Sequence, residues 1–173
     1  MRGGKRQLFT SAKTSVNTLP RTFKVVHFEK GTVNLDYGGG RFDKATKFLE
    51  SNGVRNYVYD PFNRSKEHNE AVIQAIKSNG GADTVTCNNV LNVIMEDNIR
   101  QEAISHIKSL LKPGGTAYFC VYSGDRTGIG KVTKCGYQLN RATSTYLSEV
   151  KQHFTEVSIY KDIIIARLHE LII

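Results

Sequence analysis

The sequence has no tryptophan and only three prolines, three cysteines and two methionines in 173 residues. It has no apolar run near the roughly 18 residues that a membrane-crossing helix requires, which predicts a soluble, cytoplasmic protein with no membrane partner. Cys87, Cys120 and Cys135 form no C-x-x-C pair and lack the paired Cys/His spacing of a zinc site, so neither a metal centre nor a disulfide framework is expected. They read as reduced thiols. Acid is also missing at one end: residues 1–24 hold six of the 24 basic residues and no aspartate or glutamate. Most of the net charge of +8 therefore belongs to the N-terminus, and the remainder of the chain is close to balance.

That basic segment has no apolar core of a secretory signal. Its Ser/Thr-rich composition fits a solvated or loosely docked arm, a segment that seeks phosphate, or an organellar transit peptide. A chain of this length is expected to form one domain with a real hydrophobic core. The expected division is a basic arm, residues 1–24, followed by a single domain, residues 25–173.

What is present after the arm is an alternation of apolar runs with amphipathic segments, the pattern of a mostly parallel sheet covered by helices. TVNLDYG reads as a first strand and DKATKFLESNG as a helix stopped by Gly53. VRNYVYDP reads as a second strand, followed by a helix from the candidate N-cap Ser65 to Gly80 and Gly81. ADTVTCNNVLNVI begins as a strand and turns into a loop, IRQEAISHIKSLLKPGG is a helix ended by Pro-Gly-Gly, and TAYFCVY is a buried strand. A Gly-rich basic loop and a short helix, STYLSEVKQHF, lead to TEVSIYK and DIIIARLHELII, which are too close in sequence to pair other than antiparallel.

Three consecutive glycines, Gly38, Gly39 and Gly40, fall where the first strand turns into the first helix. In open α/β folds ligands bind at that edge of the sheet, where glycine lets backbone amides come close. Alone, the cluster serves equally as a tight turn. Asp36 ends the first strand two residues before Gly38, and Asp60 ends the second, near the offset at which an acid meets a ribose. Acid, glycine loop and second acid together suit a ligand with a cationic group and a ribose.

At these residues the chain resembles the class I S-adenosylmethionine-dependent methyltransferases. NLDYGGGRF is similar to their first motif, YVYDP to the second, ADTVTCNNVLNVI to the fourth, and LLKPGGTAYFCVY to the helix, Gly-Gly and strand that follow. The resemblance implies a three-layer Rossmann-like α/β sandwich with an antiparallel C-terminal strand, S-adenosylmethionine as cofactor, and methyl transfer to an undefined acceptor. The alternative is a nucleic-acid-binding or S-adenosylmethionine-binding protein on the same scaffold without transfer. The resemblance also implies that Asp36, Tyr37, Gly38, Gly39 and Gly40 hold the methionine end and Asp60 the ribose. Asn88, Asn89 and Val90 would then lie near the methionine or the transfer site, with Pro61, Phe62 and Leu91 near the adenine. One departure stands out: the second helix runs almost directly into ADTVTC, leaving no room for the usual third strand. Six strands are expected, in the order 2-1-4-5-7-6 of the family's numbering, with DPFNRS as the replacement wall for the adenine.

Methyl transfer from a sulfonium depends on positioning more than on a dedicated acid or base. His27, His68, Glu96, Tyr122 and Asp125 are candidate bases, and none is assigned a catalytic role. The fourth motif reads NNVLNV rather than D/N-P-P-Y/F, which disfavours methylation of exocyclic amines of DNA bases. Tyr122, Arg126, Tyr137, Gln138 and Asn140 are candidate substrate contacts. The loop 126–141, with Lys131, Lys134 and Arg141, suits either a lid over a small substrate or contact with nucleic acid or another polyanion.

Overall fold

The computed structural model describes residues 7–10, 13–170 and 172. A short helix, α1 (Arg21–Val25), precedes β1 (Val33–Tyr37), α2 (Lys44–Ser51), β2 (Arg55–Tyr59), α3 (Lys66–Ser78), β3 (Ala82–Asn88), α4 (Asp97–Ser109) and β4 (Leu111–Cys120). A small hairpin, β5 (Lys131–Thr133) and β6 (Gly136–Gln138), comes before α5 (Leu147–Lys151), β7 (Glu156–Tyr160) and β8 (Ile163–Arg167). The main sheet has the order β2-β1-β3-β4-β8-β7. Its first four strands run parallel, and β8 is antiparallel to both β4 and β7. This is the six-stranded order expected from the sequence.

Handedness explains the layers. The chain passes from β1 to β2 through α2 and then returns over β1 to β3 through α3. Right-handed crossovers in opposite directions put their helices on opposite faces. Val72 and Ile76 of α3 accordingly share a core with Leu35, Val85, Phe119 and the α4 residues Ile104 and Ile107. On the other face, Phe23 of α1 packs with Phe28, Ala45, Leu49 and Val54. The reversal leaves a crevice between the carboxyl ends of β1 and β3, the switch point of an open α/β sheet.

The structure differs from the sequence expectation at three points. The boundary expected at residues 24 and 25 falls inside α1, and Phe23 just before it is 2% exposed. The helix expected to continue to Pro-Gly-Gly ends at Ser109, because Leu111 already pairs with Ala82 in the sheet. The basic loop carries the β5–β6 hairpin, whose Leu139 N–H donates to Asn92 O and whose Tyr137 stacks on Phe9 with ring centroids 5.6 Å apart.

Arg100 of α4 is buried and ties α4 to α5 and to the loop that precedes α4. Its guanidinium donates to both carboxylate oxygens of Glu149 on α5 and to the carbonyls of Ile94 and Met95, and pairs with Asp97. Removing Arg100 leaves the largely buried Glu149 with the longer Arg141 contact alone, at 3.3 Å, and takes the donor from the Ile94 and Met95 carbonyls. Arg100→Met is expected to cost about 3 kcal/mol in denaturant unfolding, and a second change, Glu149→Leu, to recover most of it.

Candidate active site

β1 ends at the switch point with Asp36, 3% exposed. The alternation of β1 and β3 turns Asn34, Asp36, Thr84, Thr86 and Asn88 to the same side of the sheet, where most of them are joined by hydrogen bonds. Asn56 donates to Thr46 and Asn34 to Asn56, each at 2.9 Å. Asn34 also donates to Thr86, whose hydroxyl donates to Asp36 Oδ1 at 3.0 Å. Burial pushes the Asp36 carboxyl up to about 7; the Thr86 hydrogen bond opposes the shift, Asp60 adds to it and Arg64 opposes it. A carboxyl in this state strongly favours a cation placed against it.

The glycine loop is shaped by this chain's own atoms. Gly38 and Gly40 have φ of +73° and +78°, the left-handed region that favours glycine. A side chain at Gly38 would strike Val90 and one at Gly40 would strike Ser15. At Gly39 a Cβ would lie 2.5 Å from Asp36 Oδ2 and 2.9 Å from Val58 Cγ1. Behind the loop, Asp60 accepts from the amides of Gly40, Phe62 and Asn63 at 2.9, 2.9 and 3.0 Å, and from the Asn63 side chain at 3.1 Å. Arg64 Nε donates to Gly40 O at 2.8 Å while its Nη2 pairs with Asp43. Asp60 and Arg64 therefore fix the loop from both sides.

A cavity of about 440 Å³ opens at this edge. Asp36, the three glycines, Asp60, Asn88 and Asn89 line it, as do the expected substrate contacts Tyr122, Tyr137 and Gln138. Asn63, Lys44, Asn92 and Thr133 also line it, together with Thr14, Ser15, Val16 and Thr18 of the arm. The arm segment is docked, with Ser15 accepting from Arg41 N at 3.1 Å and Leu8 N donating to Glu96 at 2.9 Å. Asn88 receives a hydrogen bond from Thr22 on its oxygen, and its buried Nδ2 has no partner; the same holds for Asn92 Oδ1. Both residues belong to the cavity wall, and two unpaired polar atoms there suit a polar ligand.

Tyr37, Pro61, Phe62 and Val90 line a second cavity, of about 470 Å³, which shares Gly38 and Asp60 with the first. Other expected residues lie elsewhere. Leu91 is in the core at 1% exposed. The Asn140 carboxamide accepts from Asp125 N and donates to Ile129 O, bracing its loop, and neither Asn140 nor Arg126 lines either of these two cavities. Of the candidate bases only Tyr122 reaches the first cavity: His68 is bonded to Val58 O, Glu96 holds Leu8 N, and Asp125 pairs with Lys131. Exposed Asp125 is held down to about 2 by hydrogen bonds from Thr127 and Lys131, a state unsuited to taking a proton. Among the described residues there is no cluster of His, Cys, Asp and Glu able to hold a metal, and no helix is long and apolar enough to cross a membrane.

A doubly wound sheet with an acid, a glycine loop and a second acid at its switch point defines a Rossmann-like site for a nucleotide-containing ligand. A family model described as a methyltransferase domain matches residues 5–160. The chain belongs to that family, within the class I S-adenosylmethionine-dependent methyltransferases. Among solved structures it is similar to the 1,6-didemethyltoxoflavin-N1-methyltransferase of Burkholderia thailandensis, at 14% identity and a TM-score of 0.60, over 82% of this chain and 72% of that one. It is also similar to an O-methyltransferase family protein of the same organism, at 17% and 0.53, over 80% of this chain and 51% of the other. A third likeness is to an S-adenosylmethionine-dependent methyltransferase of Clostridium acetobutylicum, at 11% and 0.51, over 79% and 84%. These likenesses carry the fold. No curated protein matches the chain.

The raised Asp36 carboxyl has a measurable consequence for the ligand-free protein. Below pH 3.8 it is protonated folded and unfolded, so it adds no pH dependence; between 3.8 and about 7 only the unfolded state releases the proton. Stability is then lost as pH rises through that window and levels off above it. Relative to Asp36→Asn, the wild type is expected to lose about 4 kcal/mol between pH 4 and pH 8 in urea unfolding, at about 1.36 kcal/mol per pKa unit. Parallel curves for the two proteins would contradict the assignment.

Proposed function

We propose that this chain transfers the methyl group of S-adenosylmethionine to a small, uncharged acceptor at the outer end of the first cavity. The observation that carries the reading is the cavity's division of chemistry. Its ionisable carboxyls, Asp36 and Asp60, flank the glycine loop, and its other lining side chains, Lys44 apart, are uncharged, among them Asn88, Asn89, Asn92, Gln138, Tyr122 and Tyr137. The carboxylate of Asp36 would meet the cofactor's ammonium group, and the Gly39 amide and Asn88 Nδ2 would meet its carboxylate. When bound, the cofactor supplies an electrophilic methyl on a sulfonium. The residues around it hold the acceptor in line, and the strap of residues 14–18 sheds water from the reacting centre.

A volume near 440 Å³ suits a small ligand. Two of the four loop cations are committed internally: Lys131 pairs with Asp125, and Arg141 pairs with Glu149 while packing on Tyr146 at 4.2 Å. This weighs against a polyanion held by residues 126–141. S-adenosylhomocysteine bound in the didemethyltoxoflavin methyltransferase supports the choice of cofactor, and that enzyme's heterocyclic acceptor agrees with a small substrate.

The test is to incubate the purified protein with methyl-labelled S-adenosylmethionine and a cell extract, then separate small molecules from macromolecules by ultrafiltration. Label is expected in the small-molecule fraction and is expected to be lost with Asp36→Ala. Label confined to RNA, DNA or protein would overturn the choice of acceptor.

A further inference from the structure

The two edges of the main sheet are finished differently. At β2 the Val58 carbonyl accepts from His68 Nε2 of α3 at 2.7 Å. At β7, among the described residues, no side chain bonds to the backbone of Glu156–Tyr160. Every residue of that strand except Val157 is exposed, Ile159 to 40% and Tyr160 to 56%. β7 contains no proline, lysine or bulge, devices by which edge strands avoid pairing with other chains. We propose that β7 is the interface of a two-fold dimer, in which it pairs antiparallel with β7 of a second copy of this chain.

The register follows from symmetry. A two-fold axis normal to the sheet keeps the corresponding faces of both copies on the same side, so residues set opposite each other must be an even number of positions apart. Pairing centred on Ser158 is the one such register that engages all of Glu156–Tyr160. Lys161 and Asp162, with φ of +46° and +62°, form the tight turn into β8, which makes Tyr160 and Ile163 its hydrogen-bonded closing pair. Alternation then turns the N–H and C=O of Val157 and Ile159 away from β8. The Ser158-centred register sets these residues opposite each other, so Val157 of one copy and Ile159 of the other exchange an N–H···O bond in each direction. Ser158 falls on the axis, at a non-hydrogen-bonded position where the backbones come closest and a small side chain fits.

The side chains complement one another in the same register. On one face Val157 and Ile159 meet their counterparts and cover apolar surface that the edge leaves exposed. On the other, Glu156 of each copy lies across from Tyr160 of the other copy, whose ring has the Lys161 ammonium 5.4 Å from its centroid. Among the described residues neither Glu156 nor Lys161 has an ion-pair partner in its own chain. The dimer supplies one to each. Because the paired strands run in opposite directions, the carboxyl edges of the two sheets point opposite ways, and each copy keeps its own cavities.

The test is sedimentation equilibrium of the full chain between about 1 and 100 μM, where a reversible monomer–dimer equilibrium is expected. Ser158→Lys sets like charges together on the axis at an exposed position and is expected to weaken association about tenfold or more. Glu156→Lys or Lys161→Glu alone is expected to weaken it about fivefold, since each change acts twice, and the double change to restore it. Cross-linking reads the register. In a Cys135→Ser background, Ser158→Cys is expected to give a covalent dimer on mild oxidation, and Tyr160→Cys, which lies opposite Glu156, is not. Circular dichroism checks that each variant is folded. A wild type that stays monomeric at the highest concentration, or a dimer that folded Ser158→Lys leaves at full strength, would overturn the proposal.

Discussion

A carboxyl closed off from water at the end of β1 is the constraint around which this fold is arranged. Asp36 tolerates its burial because Thr86 donates to it and because the neighbouring strands carry a connected layer of amides and hydroxyls. That layer requires polar residues at alternate positions of β1 and β3. It also requires that Gly39 have no side chain, since a Cβ there would press on the carboxyl itself. The absence of a side chain in the glycine loop is thus a condition for keeping the acid in place. Asp60 and Arg64 hold the same loop at the N–H and the C=O of Gly40, so the two acids have different surroundings: one is kept short of partners, and the other is saturated with them.

The second determinant is a shortening of the chain between β2 and β3. With one crossover back over β1, right-handedness alone sends α3 to the face of α4 and α5. The sheet ends at β2, and the second cavity is bounded by a helix, α4. The N-terminal segment packs onto the same sheet: Phe23 joins Ala45 and Leu49 of α2 in the small core, Thr22 donates to Asn88, and Thr14, Ser15, Val16 and Thr18 line the first cavity.

Much of this was legible in the sequence. The order of strands and helices follows from the alternation of apolar runs with amphipathic segments, and the absent strand from the passage of the second helix straight into ADTVTC. Asp36, the glycines and Asp60 stand out by their position at strand ends. The role of Asn140 did not, because a carboxamide that braces a turn and one that holds a substrate look alike without the fold. Docking of the arm depends on single contacts, such as Phe9 with Tyr137 and Ser15 with Arg41, between segments far apart in sequence. No periodicity encodes them. The polar layer was visible in principle as the alternation in VNLDY and ADTVTCN, a pattern that a reading focused on apolar periodicity passes over.

The measurement that bears most directly on this account is the number of protons exchanged when S-adenosylmethionine binds, obtained by calorimetry in two buffers of different ionisation enthalpy. Near pH 6 Asp36 is mostly protonated, and on the proposed binding mode it ionises to meet the cofactor's ammonium group, so release of roughly one proton per site is expected, vanishing in Asp36→Asn. Binding without proton release by the wild type, or with the same release by the variant, would contradict the claim that a buried, neutral Asp36 is the centre of the site.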